Sequence, residues 1–459
     1  MGCWFPLKVW SIVIIGFWVS SLRLNFATPV GFRMSLSRHH GISTGENLSR
    51  LELLRIGIKH DAKRFGAWAA TAAAAAASRP EREGKAAISR VHPAPDNGGF
   101  LMDLHIGTPP VKLRSLVDIG SDVTWTQCLP CSKERCFGQD TPIFDPKKST
   151  SFQKSVCRRN NTRGSCSRRI KYGDGSTVEG FDASETLTFQ NHVSFPNVTF
   201  LCGKNNSVGF GFQHTSGLVG LSRGRLSLVS QLNLSQFSYC LPGLGSNSTG
   251  TLRLGDASST AGGGDQVTTT PFAKNPASSN NSAKSQYYYV SVEGISVGKT
   301  LLSSVPKEAF LLNPDGSGGM IMDTATSLTY LPTAAFNAVV DEVGKQLNLS
   351  SDNSSDLPCF TLPKKSEISF PTLTLHLQGS HGSSCANLSI PEHNMFIIEE
   401  DFGRNTTCLA IGDAGGGGSF GVLGNFLQQN MMVSYDRAEN MLSFEPTNCS
   451  RHSDPIHPS

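Results

Sequence analysis

The sequence predicts an all-β protein of two related β lobes with a few short helices. Three features carry that expectation. Short apolar runs are punctuated throughout by Gly, Pro and Asn, which is strand-and-turn chemistry. Only 17% of the 459 residues are charged, and convincing helical patterns are few and short. An Asp-centred strand-and-turn element occurs twice, at Asp118 and at Asp323. The chain is also too long for one ordinary core, so two domains of about 150–200 residues plus removable segments are expected.

Residues 1–27 read as a signal peptide. One lysine precedes an apolar run from about Val9 to Leu22, the length of a signal core and short for a membrane span. A signal anchor is the competing reading. Met1-Gly2 is not read as a myristoylation start, because position 6 is Pro. Residues 28–95 read as a basic propeptide with an Ala-rich linker. Leu51, Leu54, Ile58 and Ala62 share one helical face, and AATAAAAAASRPEREGKAA follows as a spacer. This segment holds eleven Lys/Arg against five Asp/Glu, and the signal adds Lys8 and Arg23. The formal net charge of +4 therefore leaves residues 96–459 at −4. A basic leader on an acidic body suggests a propeptide covering an acidic cleft. It argues against nucleic acid as a partner, because the basic charge is not on the folded body.

The folded body is expected to begin near GGFLMDLHIGTPP, after the boundary VHPAPDNGG. Its N-terminal lobe spans 96–255, with strands in FLMDLHIG, RSLVDIG, DVTWTQC, ETLTF and TLRLG and a short helix in SLVSQL. Residues 256–284 form a Ser/Gly/Asn-rich segment between the lobes. The C-terminal lobe, 285–449, resumes at YYYVSVEGISVG and contains the helix TAAFNAVVDEVGKQL, started by Pro332 and Thr333. Residues 450–459 form a tail without the apolar stretch of a lipid-anchor signal, so no stable membrane anchor is expected.

Two further counts agree with secretion, to the cell exterior (apoplast) or, as the alternative, the vacuole. Twelve Asn-x-Ser/Thr sites occur, at Asn47, Asn160, Asn197, Asn205, Asn233, Asn247, Asn280, Asn348, Asn353, Asn387, Asn405 and Asn448. Twelve cysteines occur, Cys3 in the signal and eleven beyond it. Cys128, Cys131 and Cys136 could be read as a zinc knuckle, but an oxidising compartment favours disulfides and no metal. Because eleven is odd, Cys385, in the polar loop GSHGSSCANLS, is expected to carry an unpaired thiol.

The internal repeat points to chemistry. SLVDIGSDVTWT in the first half matches MIMDTATSLTYL in the second. Each is followed about a hundred residues later by an apolar-apolar-Gly element, GLVGL ending its match at Gly220 and GVLGN at Gly424. Two lobes related by a pseudo-two-fold axis can bring Asp118 and Asp323 together. Two carboxylates about 3 Å apart share a proton. The ionised one can activate a water, and the protonated one can polarise a carbonyl and assist the leaving amine. Such chemistry needs no cofactor, metal or covalent intermediate.

The chain resembles the pepsin-like aspartic proteases, and within them the plant nepenthesin-like branch, from about residue 31 to 449. The resemblance is carried jointly by HIGTPP, WTQC, IFDPKKSTSF, YGDGST, GLVGLSRGRLSLVSQL, FSYC, CLAIG and GNFLQQNMMVSYDRAENMLSFEPTNC. It implies Asp118 and Asp323 as the catalytic pair. Ser121 and Thr326 would hold the carboxylates in plane, with Gly120 and Thr324 completing the loops. Trp125 would support a flap whose tyrosine is Tyr172, followed by Gly173. The stretch Cys128–Cys166, with Cys131, Cys136 and Cys157, resembles the cysteine-rich insertion of the branch, and Cys202 is a further disulfide candidate. The resemblance suggests the pairs Cys240 with Cys449 and Cys359 with Cys408, although connectivity does not follow from sequence. The implied partners are a protein or peptide substrate with apolar residues around the scissile bond, and the chain's own propeptide, on a monomer.

Two positions depart from the family pattern of Asp-Thr-Gly and Asp-Ser/Thr-Gly. Ile119 has no hydroxyl for the reciprocal grip between the two loops, and Ala325 stands where the family has glycine. These departures sustain an alternative, a weakened or inactive binding or inhibitor protein on the same fold. A serine hydrolase built on GGSFG (417–421) is not supported, because the motif lies in a glycine run without a strand-elbow-helix pattern. No HExxH helix supports a metalloprotease.

Overall fold

The strand Val111–Asp118 begins half-exposed and ends in four buried positions, so it dives into the interior and delivers Asp118 there. It pairs antiparallel with Phe100–Ile106, in register from Leu101–Leu116 to Ile106–Val111. In the second lobe the wholly buried strand Met320–Met322 delivers Asp323 in the same way. The structure, a computed structural model, describes residues 34–37, 61, 90–93 and 98–451 except 132–133, 160–161, 173–174, 190–191, 210–211, 213, 244–248, 256–266, 275–285, 315, 353–356, 364–367, 381–384, 402–403 and 416–419.

Each Asp-bearing strand lies parallel to the strand of its apolar-apolar-Gly element. Gly217–Gly220 runs beside Ser115–Asp118, with Gly220 opposite Asp118. Gly421–Leu423 runs beside Met320–Met322, with Leu423 opposite Met322. The glycine that ends each element is a steric necessity. A methyl on Gly220 would lie 2.7 Å from the Ser121 carbonyl oxygen, and one on Gly424 would lie 1.9 Å from that of Leu328. Backbone packs on backbone there, so the sequence repeat is a repeat in three dimensions.

The lobes are joined by a shared sheet. Gln236–Cys240 pairs antiparallel with Thr249–Leu254 on one side and with the C-terminal strand Met431–Asp436 on the other. Met431–Asp436 continues into the hairpin strand Met441–Pro446, which pairs with Thr268–Pro271. Phe237 and Tyr435 stack across this sheet with ring centroids 4.4 Å apart. Two pieces of the segment expected as propeptide join it. Met34–Ser37 lies antiparallel to Thr249–Leu254 and parallel to Arg90–Pro93, which pairs with Phe100–Ile106.

TAAFNAVVDEVGKQL forms the helix Thr333–Leu347, burying Ala335, Val339, Val340 and Val343, and ends at Asn348 in a left-handed cap (φ 53°). SLVSQL contributes only the single turn Leu228–Gln231, capped by the Ser227 hydroxyl. Of the helical pattern around Leu51–Ala62, all but Asp61 lies outside the described residues. Among the described residues no helix is long and apolar enough to cross a membrane.

The disulfides are Cys128–Cys202, Cys131–Cys136, Cys157–Cys166, Cys240–Cys449 and Cys359–Cys408. The last two are the pairs suggested above, and the thiols of the notional zinc knuckle are all consumed. The expectation for Cys385 is corrected: it is disulfide-bonded, and among the described residues no cysteine is free. Among the sequons, Asn197, Asn233, Asn348, Asn387 and Asn448 are exposed, and the half-buried Asn205 donates to Glu179. Asn405 lies on the strand Arg404–Leu409. Asn47, Asn160, Asn247, Asn280 and Asn353 lie outside the described residues.

The close approach at Gly424 yields a first prediction. Gly424→Ala should lower unfolding stability by about 3 kcal/mol or more, or prevent folding, because rigid backbone cannot yield to the methyl. Urea denaturation checks this, and wild-type stability would disprove the packing argument.

Candidate active site

Asp118 and Asp323 are both fully buried, and Gly120 shows that they share one space. A methyl built on Gly120 would sit 3.2 Å from Asp118 Oδ1 and 3.0 Å from Asp323 Oδ1. The two loops hold their carboxylates alike. Ser121 Oγ donates to Asp118 Oδ2 at 2.5 Å, and Thr326 Oγ1 donates to Asp323 Oδ2 at 2.5 Å. The Gly120 N–H donates to Asp118 Oδ1 at 2.8 Å, and the Ala325 N–H to Asp323 Oδ1 at 3.2 Å. The structure thus brings Asp118, Gly120, Ser121, Asp323, Thr324 and Thr326 together.

The loops are tied across the lobe boundary from one side. The Thr324 hydroxyl donates to the Val117 carbonyl at 3.0 Å and accepts from the Ile119 N–H at 3.2 Å. By the repeat, the opposite ties would run from a hydroxyl at 119 to the Met322 carbonyl and the Thr324 N–H. Ile119 has none, and its side chain is buried in the main hydrophobic core instead. Ala325 is also buried, in an apolar cluster with Trp125, Leu218 and Phe212 of the other lobe. Its methyl adds packing between the lobes, while its N–H sits farther from its carboxylate than that of Gly120.

Several residues that brace the site were not singled out in the sequence. Asn425 Nδ2 donates to the carbonyls of Thr324 at 3.0 Å and Gly98 at 2.9 Å. Gln428 Nε2 donates to those of Asp323 at 3.0 Å and Leu423 at 2.6 Å, and its Oε1 accepts from the Tyr239 hydroxyl of the inter-lobe sheet. Their position just after Gly424 was the available signal. In the first lobe, Asp122 Oδ1 accepts from the Leu226 N–H at 3.0 Å, tying the loop to the turn before the short helix. Burial pushes the Asp122 carboxyl up to about 6, against lowering by the Ser227 and Leu226 amides and by Arg168 and Arg225.

The hairpin expected as the flap is formed by Ser167–Lys171 and Thr177–Thr188. Tyr172 sits at its turn, where its N–H donates to the Ser176 carbonyl at 2.8 Å. Gly175 follows with φ +84°, a backbone glycine adopts freely. Gly173 lies outside the described residues. Trp125 reaches Tyr172 through a third ring. Phe212 lies 5.3 Å from the Trp125 ring and 5.5 Å from that of Tyr172. The Trp125 indole N–H finds no hydrogen-bond partner among the described residues, so its support of the hairpin is by packing.

Residues 100–256 match the family model described as "Xylanase inhibitor N-terminal", and residues 287–446 the one described as "Xylanase inhibitor C-terminal". The chain is 36% identical over 439 residues to "Aspartic proteinase nepenthesin-1" of Nepenthes gracilis, covering 92% of this chain and 91% of that relative. It is 36% identical over 435 residues to "Aspartic proteinase nepenthesin-2" of the same organism, covering 91% and 90%. The crystal structure of edgp is similar with a TM-score of 0.64 at 20% identity, over 80% of this chain and 96% of that one, which shows the fold.

Asp122 makes a prediction about pH. Its folded pKa of about 6 lies above the ordinary carboxylate range, so folding tightens its hold on the proton. The associated stability is present at acid pH and is lost as pH rises from about 4 through about 6, by about 2–3 kcal/mol. Asp122→Asn should flatten the pH dependence of the urea unfolding free energy over that window. An unchanged slope would place its origin elsewhere.

Proposed function

The chain belongs to the pepsin-like aspartic protease family, and on that premise we propose an aspartic endopeptidase that hydrolyses peptide bonds at acid pH between Asp118 and Asp323. The observation that carries this reading is the shared space at Gly120, where both carboxylates meet with matching supports. Two carboxylates so placed repel when both are ionised, so acid conditions that leave one proton on the pair favour the working state. The ionised partner takes a proton from a bound water, which attacks the scissile carbonyl carbon. The other donates its proton toward the carbonyl oxygen, and the tetrahedral species collapses with proton transfer to the leaving amine. Oδ2 of each aspartate is held by a hydroxyl, which leaves Oδ1 directed at the shared space. Tyr172, on its hairpin, would close over the peptide and exclude water.

The wider reading is a secreted zymogen, with residues 28–95 as propeptide and glycans on the exposed sequons. The apoplast is the proposed destination and the vacuole the alternative. It is supported by the apolar leader, the disulfides and the pairing of Met34–Ser37 with Thr249–Leu254. The inhibitor-like alternative is not favoured, because both aspartates and both supporting hydroxyls are retained.

The test is to express the full chain, acidify it to about pH 3–5, and follow self-processing and peptide cleavage in the presence and absence of pepstatin. Asp118→Asn should lower kcat/KM by at least about 10³-fold; cleavage unaffected by that change would sink the assignment. The paired change Ile119→Thr with Ala325→Gly should raise kcat several-fold, about what restoring a small displacement of a catalytic group returns. An unchanged rate would show both departures to be neutral for catalysis.

A further inference from the structure

A separate sheet of the second lobe places a hydroxyl, an imidazole and a carboxamide in a row. Its strand Val292–Val297 pairs antiparallel with Leu373–Gln378, which pairs antiparallel with Cys385–Ile390. Ile295, Val297, Leu375 and Leu388 are buried on one face. The alternation of strands therefore turns Gly294, Ser296, His376 and Asn387 to the other face. There His376 lies opposite Gly294 on one side and Asn387 on the other. Its Nε2 is 2.7 Å from Ser296 Oγ, and its Nδ1 is 2.7 Å from Asn387 Oδ1. A carboxamide oxygen only accepts, so the Asn387 contact places the imidazole proton on Nδ1. The Nε2 lone pair of the neutral ring then accepts from the Ser296 hydroxyl.

A hydroxyl, a base within hydrogen-bond reach and a group that fixes the tautomer of the base are the parts of an activated nucleophile. Ser296 is buried, His376 half-buried and Asn387 exposed, so the row runs from a sheltered hydroxyl out to solvent. Beside the ring the strand carries no side chain, at Gly294. A methyl at its Cβ position would meet nothing nearer than His376 Cδ2 at 3.6 Å and Leu301 Cδ1 at 3.7 Å, which are ordinary contact distances. Leu301 lies directly across from Ser296 and is 51% exposed. The notch at Gly294 is thus methyl-sized, has an apolar wall, and lies two residues from Ser296 on the same face.

We propose that Ser296, His376 and Asn387 form a second centre, separate from the aspartate pair, which hydrolyses small acyl esters and seats an acetyl methyl at Gly294. Ser296 Oγ attacks the ester carbonyl carbon while its proton passes to His376 Nε2. The bond between that carbon and the alcohol oxygen breaks as Nε2 returns the proton to the departing oxygen. Water then attacks the acyl-serine by the same route, which releases a carboxylic acid and restores Ser296. Asn387 touches only the ring and is a positioning residue.

The test uses the full chain saturated with pepstatin at about pH 8, where a histidine is neutral. The substrate is p-nitrophenyl acetate and the covalent probe is diisopropyl fluorophosphate. Wild type should hydrolyse the ester and carry a phosphoryl adduct on Ser296, located by peptide mapping. Ser296→Ala and His376→Gln should each lose that adduct and slow hydrolysis at least about tenfold. Gly294→Ala fills the notch at ordinary contact distances, so it should slow acetyl-ester hydrolysis about tenfold with urea stability unchanged. A trio that only joins the strands predicts no adduct on Ser296 and equal hydrolysis in wild type and variants, and either result overturns the centre. An unchanged rate in Gly294→Ala overturns the acetyl seat. If Ser296→Ala does not fold, the adduct on wild type and the rate of Gly294→Ala decide.

Discussion

Two carboxylates buried in one space are the constraint to which the rest of the structure answers. A buried carboxylate is costly unless donors satisfy it, and two together add repulsion. Each loop meets that demand within four residues, with one hydroxyl to Oδ2 and one backbone N–H to Oδ1. A loop this tight needs a wall immediately behind it. The glycines at 220 and 424 let a second backbone supply that wall at distances no side chain would permit. The parallel pairing of each Asp strand with its glycine strand is thus the scaffold of the site as well as part of the sheet.

The two halves solve the problem unequally. Between the two aspartate loops the Thr324 hydroxyl makes the side-chain ties, while the Ile119 and Ala325 side chains contribute apolar packing. A hydrogen bond lost from such a place costs about 0.5–1.5 kcal/mol, and burying a β-branched side chain offsets a comparable amount. Stability is therefore little disturbed. Catalysis depends on position, and there the longer reach of the Ala325 N–H is the visible difference. Asn425 and Gln428 restrain the same loop from behind, and Gln428 links it to Tyr239 in the shared sheet.

Two contacts near the aspartate loops rest on different physics. In one, Tyr172, Phe212 and Trp125 form a run of ring contacts. In the other, the Asp61 carboxylate accepts from the Ser327 and Leu328 N–H groups, a directional contact. Burial of Asp122, beside the loop that carries Asp118, favours its protonated carboxyl.

Much of this was legible in the sequence, because much of it is local or duplicated. The strand patterns around Phe100 and Met320, the helix begun at Thr333, the Asp elements and their distant glycines are all written in periodicity and spacing. The hydroxyls three residues after each Asp could be placed through the family resemblance, and the structure bonds them to the carboxylates. What the sequence could not show depends on which distant segments come to lie together. Phe212 between Trp125 and Tyr172, Gln428 beneath Asp323, the bonding of Cys385 and the seat of Asp61 are of that kind. By itself the sequence determined two β lobes, an aspartate pair and the odd residues beside it. Only the tertiary structure decided how those residues are accommodated, since contacts across some two hundred residues of chain leave no local pattern to read.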